Sequence, residues 1–198
     1  MQKHSESCLK ILHKSVPLFA AKGFDGVSMR DIARAVGVKA PALYNHFSDK
    51  QSLYLAVVSH AFENKSTPLI EALSSSKSPE NRLKDFIRVM VGSMAADQSF
   101  GNIMQREMLD GDEMRLKFIG ETMFAELFER AIQLFKEINP NCCDQHLLSI
   151  TVIGMIRQHF EFQPLCKFLP GMENKSIDVN QLSEHIYNLL MTGLQGKS

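Results

Sequence analysis

The fold class expected from the sequence is all-α: a three-helix helix-turn-helix head joined by one long helix to a C-terminal helical bundle. Three observations carry this expectation. Residues 28–50, SMRDIARAVGVKAPALYNHFSDK, hold two short helical patterns joined by a glycine turn, then an aromatic and basic run, then a fresh helix start. Apolar residues recur at three- and four-residue spacing along nearly the whole chain, with no strand-like alternation and no internal repeat. The 198 residues contain no Trp and only 7 Pro and 11 Gly, so few breakers interrupt the helices.

The first helix is expected over residues 5–22, where Leu9, Leu12, Val16, Phe19 and Ala20 recur at helical spacing. Pro17 lies inside it and should kink it, and Gly23 suits its end. Ser28 is a good N-cap for the second helix, with Asp31 near the positive end of the helix dipole. Ile32, Ala33 and Val36 give that helix an inward face. Gly37 permits the turn, and Val38 is placed to plug the gap between helices. Pro41 fits the first turn of a helix running from Ala40 to His46, with Phe47 assigned to the core. Ser48 with Gln51 reads as a capping box opening the long helix. Pro68 should kink or end that helix, although the pattern could resume as far as Leu73. The stretch before Pro68 could span on the order of 30 Å. Further helices are expected at 79–96, 100–109, 112–138, 144–163 and 178–194, with breaks at Asn139–Asn141 and Pro164–Asn174.

The formal net charge of zero hides an asymmetry. Residues 1–52 carry eight Lys/Arg against four Asp/Glu, a net of +4, and the remainder carries 14 against 18, a net of −4. A basic head on an acidic body suits a protein that presents one end to phosphate. The four cysteines (Cys8, Cys142, Cys143, Cys166) show no CxxC spacing and are expected to be reduced thiols. The N-terminus is too polar for a signal peptide, and the apolar run from Ile150 to Ile156 is too short to span a membrane. A soluble, cytoplasmic protein is the expectation.

In a helix-turn-helix, the N-terminal residues of the second helix meet base edges in the major groove of DNA. Here these are Lys39, Ala40 and Ala42, with Leu43 partly buried. Lys39 can donate to guanine O6 and N7, and the alanine methyls can touch thymine methyl groups. Ser28, Tyr44, His46 and Lys50 are polar-tipped residues suited to phosphate oxygens.

Residues 9–53 resemble the DNA-binding domain of the TetR family of bacterial transcriptional regulators. The matching parts are ILHKSVPLFAAKGF, SMRDIARAVGV and ALYNHFSDKQSL. Val36, the Lys39-Ala40-Pro41-Ala42 entry to the second helix and Pro17 depart from the family's usual pattern, and the entry leaves the operator sequence open. The resemblance implies backbone contacts from Ser28, Tyr44, His46 and Lys50 and groove contacts from Lys39, Ala40 and Ala42. It also implies a division into a DNA-binding domain over 1–49 and an effector-binding and dimerisation domain over 50–198.

The body is rich in Met and Phe, which suit either an ordinary core or a permissive apolar pocket between bundle helices. The pocket candidates are Met90, Met94, Phe100, Met104, Met108, Phe118, Met123, Phe124, Met155 and Phe160. The resemblance implies a small effector there, apolar or aromatic by the lining. The segment Gln105–Met114 reads as a capped helix junction with a surface ion pair, or alternatively as polar contacts at a pocket mouth. The two C-terminal helices keep broad apolar surfaces, so Leu148, Val152, Met155, Leu182, Ile186 and Leu189 are the candidates for a homodimer interface. Two-fold symmetry matches a palindromic operator.

The leading expectation is a repressor released from DNA by a small-molecule effector. A DNA-binding adaptor answering to a protein partner is the alternative. A helical-bundle enzyme is disfavoured, because no HExxH and no Glu-x-x-His pair accompanies the scattered histidines. No metal and no cofactor is expected.

Overall fold

The computed structural model describes residues 5–140, 144–171 and 177–195, and every regular element among them is helical. The elements are α1 (Glu6–Lys22), α2 (Met29–Val36), α3 (Ala40–Tyr44), α4 (Lys50–Ser74), α5 (Pro79–Ala96), α6 (Ser99–Asp110) and α7 (Glu113–Phe118). A π-helical segment (Ile119–Phe124) follows, then α8 (Ala125–Ile138), α9 (Gln145–Cys166) and α10 (Val179–Gln195). Asn141, Cys142, Cys143 and the last part of the break expected over Pro164–Asn174, residues 172–174, lie outside the described residues.

Some boundaries follow expectation and others differ for identifiable reasons. Helix α1 keeps its expected extent with Pro17 inside it; Pro17 is exposed, so the one missing backbone donor falls on the solvent side. Helix α4 resumes past Pro68 to Ser74, as its pattern allowed, whereas α9 continues past the stop expected at Pro164. Helix α3 stops at Tyr44, and His46 and Phe47 both turn back to donate backbone N–H groups to the Leu43 carbonyl. The long helix is capped one residue later than the Ser48–Gln51 pattern suggests. Asp49 Oδ1 accepts the Ser52 N–H at 2.7 Å, and Ser52 Oγ accepts the Asp49 N–H at 3.2 Å. An ionised carboxylate is the stronger acceptor for orphan N–H groups and takes the cap from the serine hydroxyl. The helix expected over 112–138 is one continuous stretch in which the π segment marks a change of register.

The chain forms two compact units. The first comprises residues 1–65 and 98–124, and the second comprises 66–97 and 125–198. Helices α6 and α7 therefore belong with the helix-turn-helix, a grouping the 1–49 and 50–198 division does not contain. In the first unit α1 packs on α2 and α6. Leu12, Phe19, Ile32, Leu43, Leu53 and Ile103 are wholly shielded there. Each such side chain contributes about 1.5–3 kcal/mol of burial. In the second unit α5 packs against α8, α9 and α10, with Leu83, Ile87, Val91, Leu134 and Ile156 innermost. Arg82 ties this unit together by pairing with Glu137 and donating to the Leu73 carbonyl at 3.1 Å.

Candidate nucleic-acid interface and its support

The sequence SMRD builds a full capping box at the head of α2. Ser28 Oγ accepts the Asp31 N–H at 3.2 Å, and the Asp31 carboxylate accepts the Ser28 N–H at 3.0 Å. The Ser28 hydroxyl also donates to Asp31. These bonds from Ser28, side chain before backbone, hold the Asp31 carboxyl below its ordinary range, with Arg34 and Lys22 adding to the effect. Ser28 is exposed, as a phosphate contact requires, but in this state its hydroxyl is turned to Asp31.

Gly37 closes α2 in the left-handed region (φ 81°, ψ 34°), and the Val38 N–H reaches the Ala33 carbonyl at 2.9 Å. Val38 is 37% exposed and does not plug the space between helices; the wholly buried Leu43 fills the interior from α3. Lys39 is the N-cap of α3 and is exposed. Ala40 and Ala42 are half-buried, and Tyr44 is 54% exposed. The face expected to read bases is thus presented, while Phe47 sits in the core as expected. His46 is exposed, and its Nε2 lies 3.3 Å from Ser7 Oγ at the start of α1. Lys50 opens α4, and its ammonium lies 4.2 Å from the centre of the Phe24 ring.

Behind this surface lies a buried polar cluster that the sequence reading left unassembled. The capped junction expected in Gln105–Met114 is present: Gly111 closes α6 in the left-handed region and Asp112 caps α7. Its ion pair, however, is not on the surface. Glu107 has no exposed side-chain area and pairs with Arg115, whose Nε lies 2.9 Å from Oε2. The Tyr54 hydroxyl donates to the same carboxylate at 2.7 Å. Burial, reinforced by this bond to Glu107, pushes the Tyr54 phenol well above its usual value. Burial opposes the Arg115 charge, but the hydrogen bond and charge of Glu107 outweigh it and raise the guanidinium pKa. Arg106 bonds the carboxyl end of α1, donating to the Ala20 carbonyl at 3.1 Å and the Ala21 carbonyl at 2.6 Å. Arg115, Tyr54 and Phe24 were not singled out from the sequence. The available signal was that a tyrosine on the inward face of a long helix needs a hydroxyl partner.

The ten pocket candidates divide between the units. In the first, Phe62 of α4, Phe100 of α6 and Phe124 of the π segment form an aromatic cluster, with centroid separations of 4.9 Å (62–124), 5.7 Å (62–100) and 6.2 Å (100–124). Met104 and Met123 are buried in that unit and Phe118 is half-buried. Met108 is 57% exposed, because the one-turn step from Met104 carries it past the buried face of α6. In the second unit Phe160 is buried, and Met90, Met94 and Met155 are half-buried. Phe62 was not among the candidates.

The interface candidates also separate. Val152, Leu182 and Ile186 are buried within the second unit and offer no surface in this state, because they face inward on α9 and α10. Leu148 and Met155 are half-buried, and Leu189 is 53% exposed. Leu147 and Ile150, at 61% and 60% exposure, are outward apolar residues of α9 beyond the six interface candidates, and Phe162 and Leu165 are exposed further along the same helix.

A short helix with a partly exposed N-terminal face, held across a left-handed glycine turn from a capped helix, has the geometry of a helix-turn-helix motif. Residues 11–57 match the family model described as bacterial regulatory proteins, tetR family, so this segment is similar to the DNA-binding part of that family. Among curated relatives, the negative transcriptional regulator IcaR of the biofilm operon icaADBC, from Staphylococcus aureus (strain Newman), is 38% identical over 74 residues. That match covers 32% of this chain and 40% of the relative. An uncharacterised HTH-type transcriptional regulator, YezE of Bacillus subtilis (strain 168), is 25% identical over 84 residues, 42% of this chain and 43% of the relative. The chain thus spans about two fifths of the length of the curated relatives it matches.

Solved structures match over nearly the full length and show the same fold. A putative fatty acid metabolism regulator of Clostridium perfringens has a TM-score of 0.78 at 20% identity, covering 96% of this chain and 98% of that one. FadR of Bacillus subtilis, solved with stearoyl-CoA, has a TM-score of 0.76 at 17% identity, with 93% and 98% covered. AibR, solved with isovaleryl coenzyme A and operator DNA, has a TM-score of 0.75 at 16% identity, with 95% and 100% covered.

Proposed function

We propose that the chain is a homodimeric transcriptional repressor whose hold on a palindromic operator is released by a small apolar or aromatic effector. The observation that carries the reading is the partly exposed Lys39–Tyr44 helix, with Lys39 and Tyr44 outward, within the segment that matches the tetR family model. Lys39, Ala40 and Ala42 read bases, and Ser28, Tyr44, His46 and Lys50 anchor the backbone. The role of IcaR as a negative transcriptional regulator supports repression.

The Phe62–Phe100–Phe124 cluster supports an apolar effector, since aromatic faces offer dispersion and area burial without a charge requirement. Acyl-CoA complexes of two fold neighbours make fatty acyl thioesters the first compounds to assay. The exposed Leu147 and Ile150 of α9 and Leu189 of α10 support association of two copies. A repressor of this kind acts in the cytoplasm, where its DNA lies; no helix among the described residues is long and apolar enough to cross a membrane.

To release DNA, the effector must bind the DNA-free conformation more tightly than the DNA-bound one. The test is footprinting of the purified protein on DNA flanking its own coding region at low salt. Protection of a palindrome that is relieved by an added acyl thioester is the expected result. No protection at any salt concentration defeats the reading.

A further inference from the structure

Phe24 receives two cations. The Lys50 ammonium lies 4.2 Å from its centroid and the Arg115 guanidinium carbon 4.6 Å from it. The ring is itself set against Tyr54, 5.1 Å away at an interplanar angle of 66°. Tyr54 donates to Glu107, and Glu107 holds Arg115. The residues Phe24, Tyr54, Glu107 and Arg115 therefore close a ring of contacts, and Lys50 joins it at Phe24.

Resting on the DNA-binding reading above, we infer that Phe24 and Arg115 are positioning residues that hold the Lys50 ammonium for a DNA backbone phosphate. A lysine side chain free in solvent samples many rotamers, and a phosphate contact must then arrest them. An aromatic face attracts the ammonium and fixes it beforehand, while N–H donors remain on its far side for an oxygen. A second cation at the same ring would ordinarily repel Lys50. Glu107 neutralises Arg115 at 2.9 Å, so Arg115 can brace the Phe24 ring without driving the lysine off. Phe24 follows the Gly23 turn at the end of α1, and Lys50 begins α4, so the contact joins two elements of the head.

The experiment uses the full chain and a short mixed-sequence duplex, because phosphate contacts are indifferent to sequence. Phe24→Leu should weaken binding about two- to five-fold, the range expected for losing an exposed cation–π contact. It should also flatten the dependence of affinity on salt, as Lys50→Gln should. Phe24→Tyr, which keeps the ring, should restore both. The Phe24→Leu/Lys50→Gln pair should bind no worse than Lys50→Gln alone. Without DNA, the Lys50 ε-methylene protons should be shifted upfield by the ring current in NMR spectra, and the shift should shrink in Glu107→Gln and vanish in Phe24→Leu. Additive losses, an unchanged salt slope in Phe24→Leu, or unshifted ε-methylene protons each overturn the inference. If the unaltered chain binds no duplex, the proposed function fails with it; shifted protons with additive losses remove only the positioning role.

Discussion

Glu107 and Arg115 form an ion pair with 0% and 8% of their side chains exposed, across the turn that joins α6 to α7. Their separation in sequence is small, but their partners are distant: Tyr54 of α4 completes the carboxylate, and Phe24 stacks beneath the guanidinium. The pair places charge in the core of the unit that carries the helix-turn-helix.

Breaking such a pair from one side strands a charge away from water. Arg115→Ala leaves a fully buried carboxylate with the Tyr54 hydroxyl as its remaining side-chain donor, so it should cost about 3–5 kcal/mol. Glu107→Gln should cost less, about 1–3 kcal/mol, because Arg115 keeps Asp112 at 3.2 Å and Asp110 at 3.6 Å. Urea unfolding monitored by circular dichroism checks the order of the two; equal losses would mean that burial of Glu107 is not the deciding factor.

Tyr54 supplies an alkaline signature. Its phenol pKa is raised in the folded chain above the ordinary value of 10.0, first by burial and then by the bond to Glu107. A folded-state pKa above the unfolded one favours folding fully at pH values below about 10, and the benefit is lost as pH rises beyond that value. Stability measured from neutral to strongly alkaline pH should therefore fall on the alkaline side. Tyr54→Phe should start lower, by about 1–2 kcal/mol, and decline less steeply. Parallel curves would assign the alkaline loss to other groups.

Gly23 ends α1 at φ 71° and ψ −177°, a region open essentially to glycine alone. An added Cβ would also stand 3.4 Å from Arg106 Cδ, beside the bonds that hold the end of α1. Gly23→Ala should cost about 1–3 kcal/mol. A shift of the thermal midpoint too small to resolve would show that the turn relaxes into another conformation.

Lys39 and Tyr44 should separate in their effects on DNA. Tyr44→Phe is expected to weaken operator and mixed-sequence duplexes by the same factor, since a phosphate contact carries no base information. Lys39→Ala should instead relax discrimination at one position in each half-site, by about 1–3 kcal/mol. Binding to a panel of single-base operator variants measures both, and a uniform loss for Lys39→Ala would make it a backbone contact.

Ile150→Glu and Leu189→Glu test the proposed association of two copies. Both residues are exposed in the chain, so neither substitution should disturb the fold of one copy. Sedimentation analysis should show dissociation to monomers with an unchanged helical spectrum. A dimer that persists in both variants would place the interface elsewhere.

Local chemistry made the head legible. Ser28 and Asp31 are three residues apart, Gly37 sits where a left-handed turn is needed, and both signals act within a few residues of themselves. The pattern of Ile32, Leu43 and Phe47 likewise names the inward faces directly. Pro164 was misleading as a helix stop for the same local reason: a single lost donor on a solvent-facing turn is tolerated once the rest of the helix is packed. Exposure was harder to judge in the body. Val152 and Leu189 are both apolar residues on amphipathic helices, yet one is buried and the other faces outward.

The sequence by itself determined an all-helical chain with a helix-turn-helix similar to that of the TetR family, because helix periodicity, caps and glycine turns are set by neighbours in the chain. Only the tertiary structure decided which distant groups share a charge. Nothing local says that Glu107 is buried, that Arg115 neutralises it, or that Tyr54, 53 residues before Glu107, supplies its second donor. Nor does a local pattern reveal that the Lys50 ammonium rests on Phe24. Those partnerships arise when α1, α4, α6 and α7 pack into one unit, since removing a carboxylate from water is tolerable only where the fold brings donors to it.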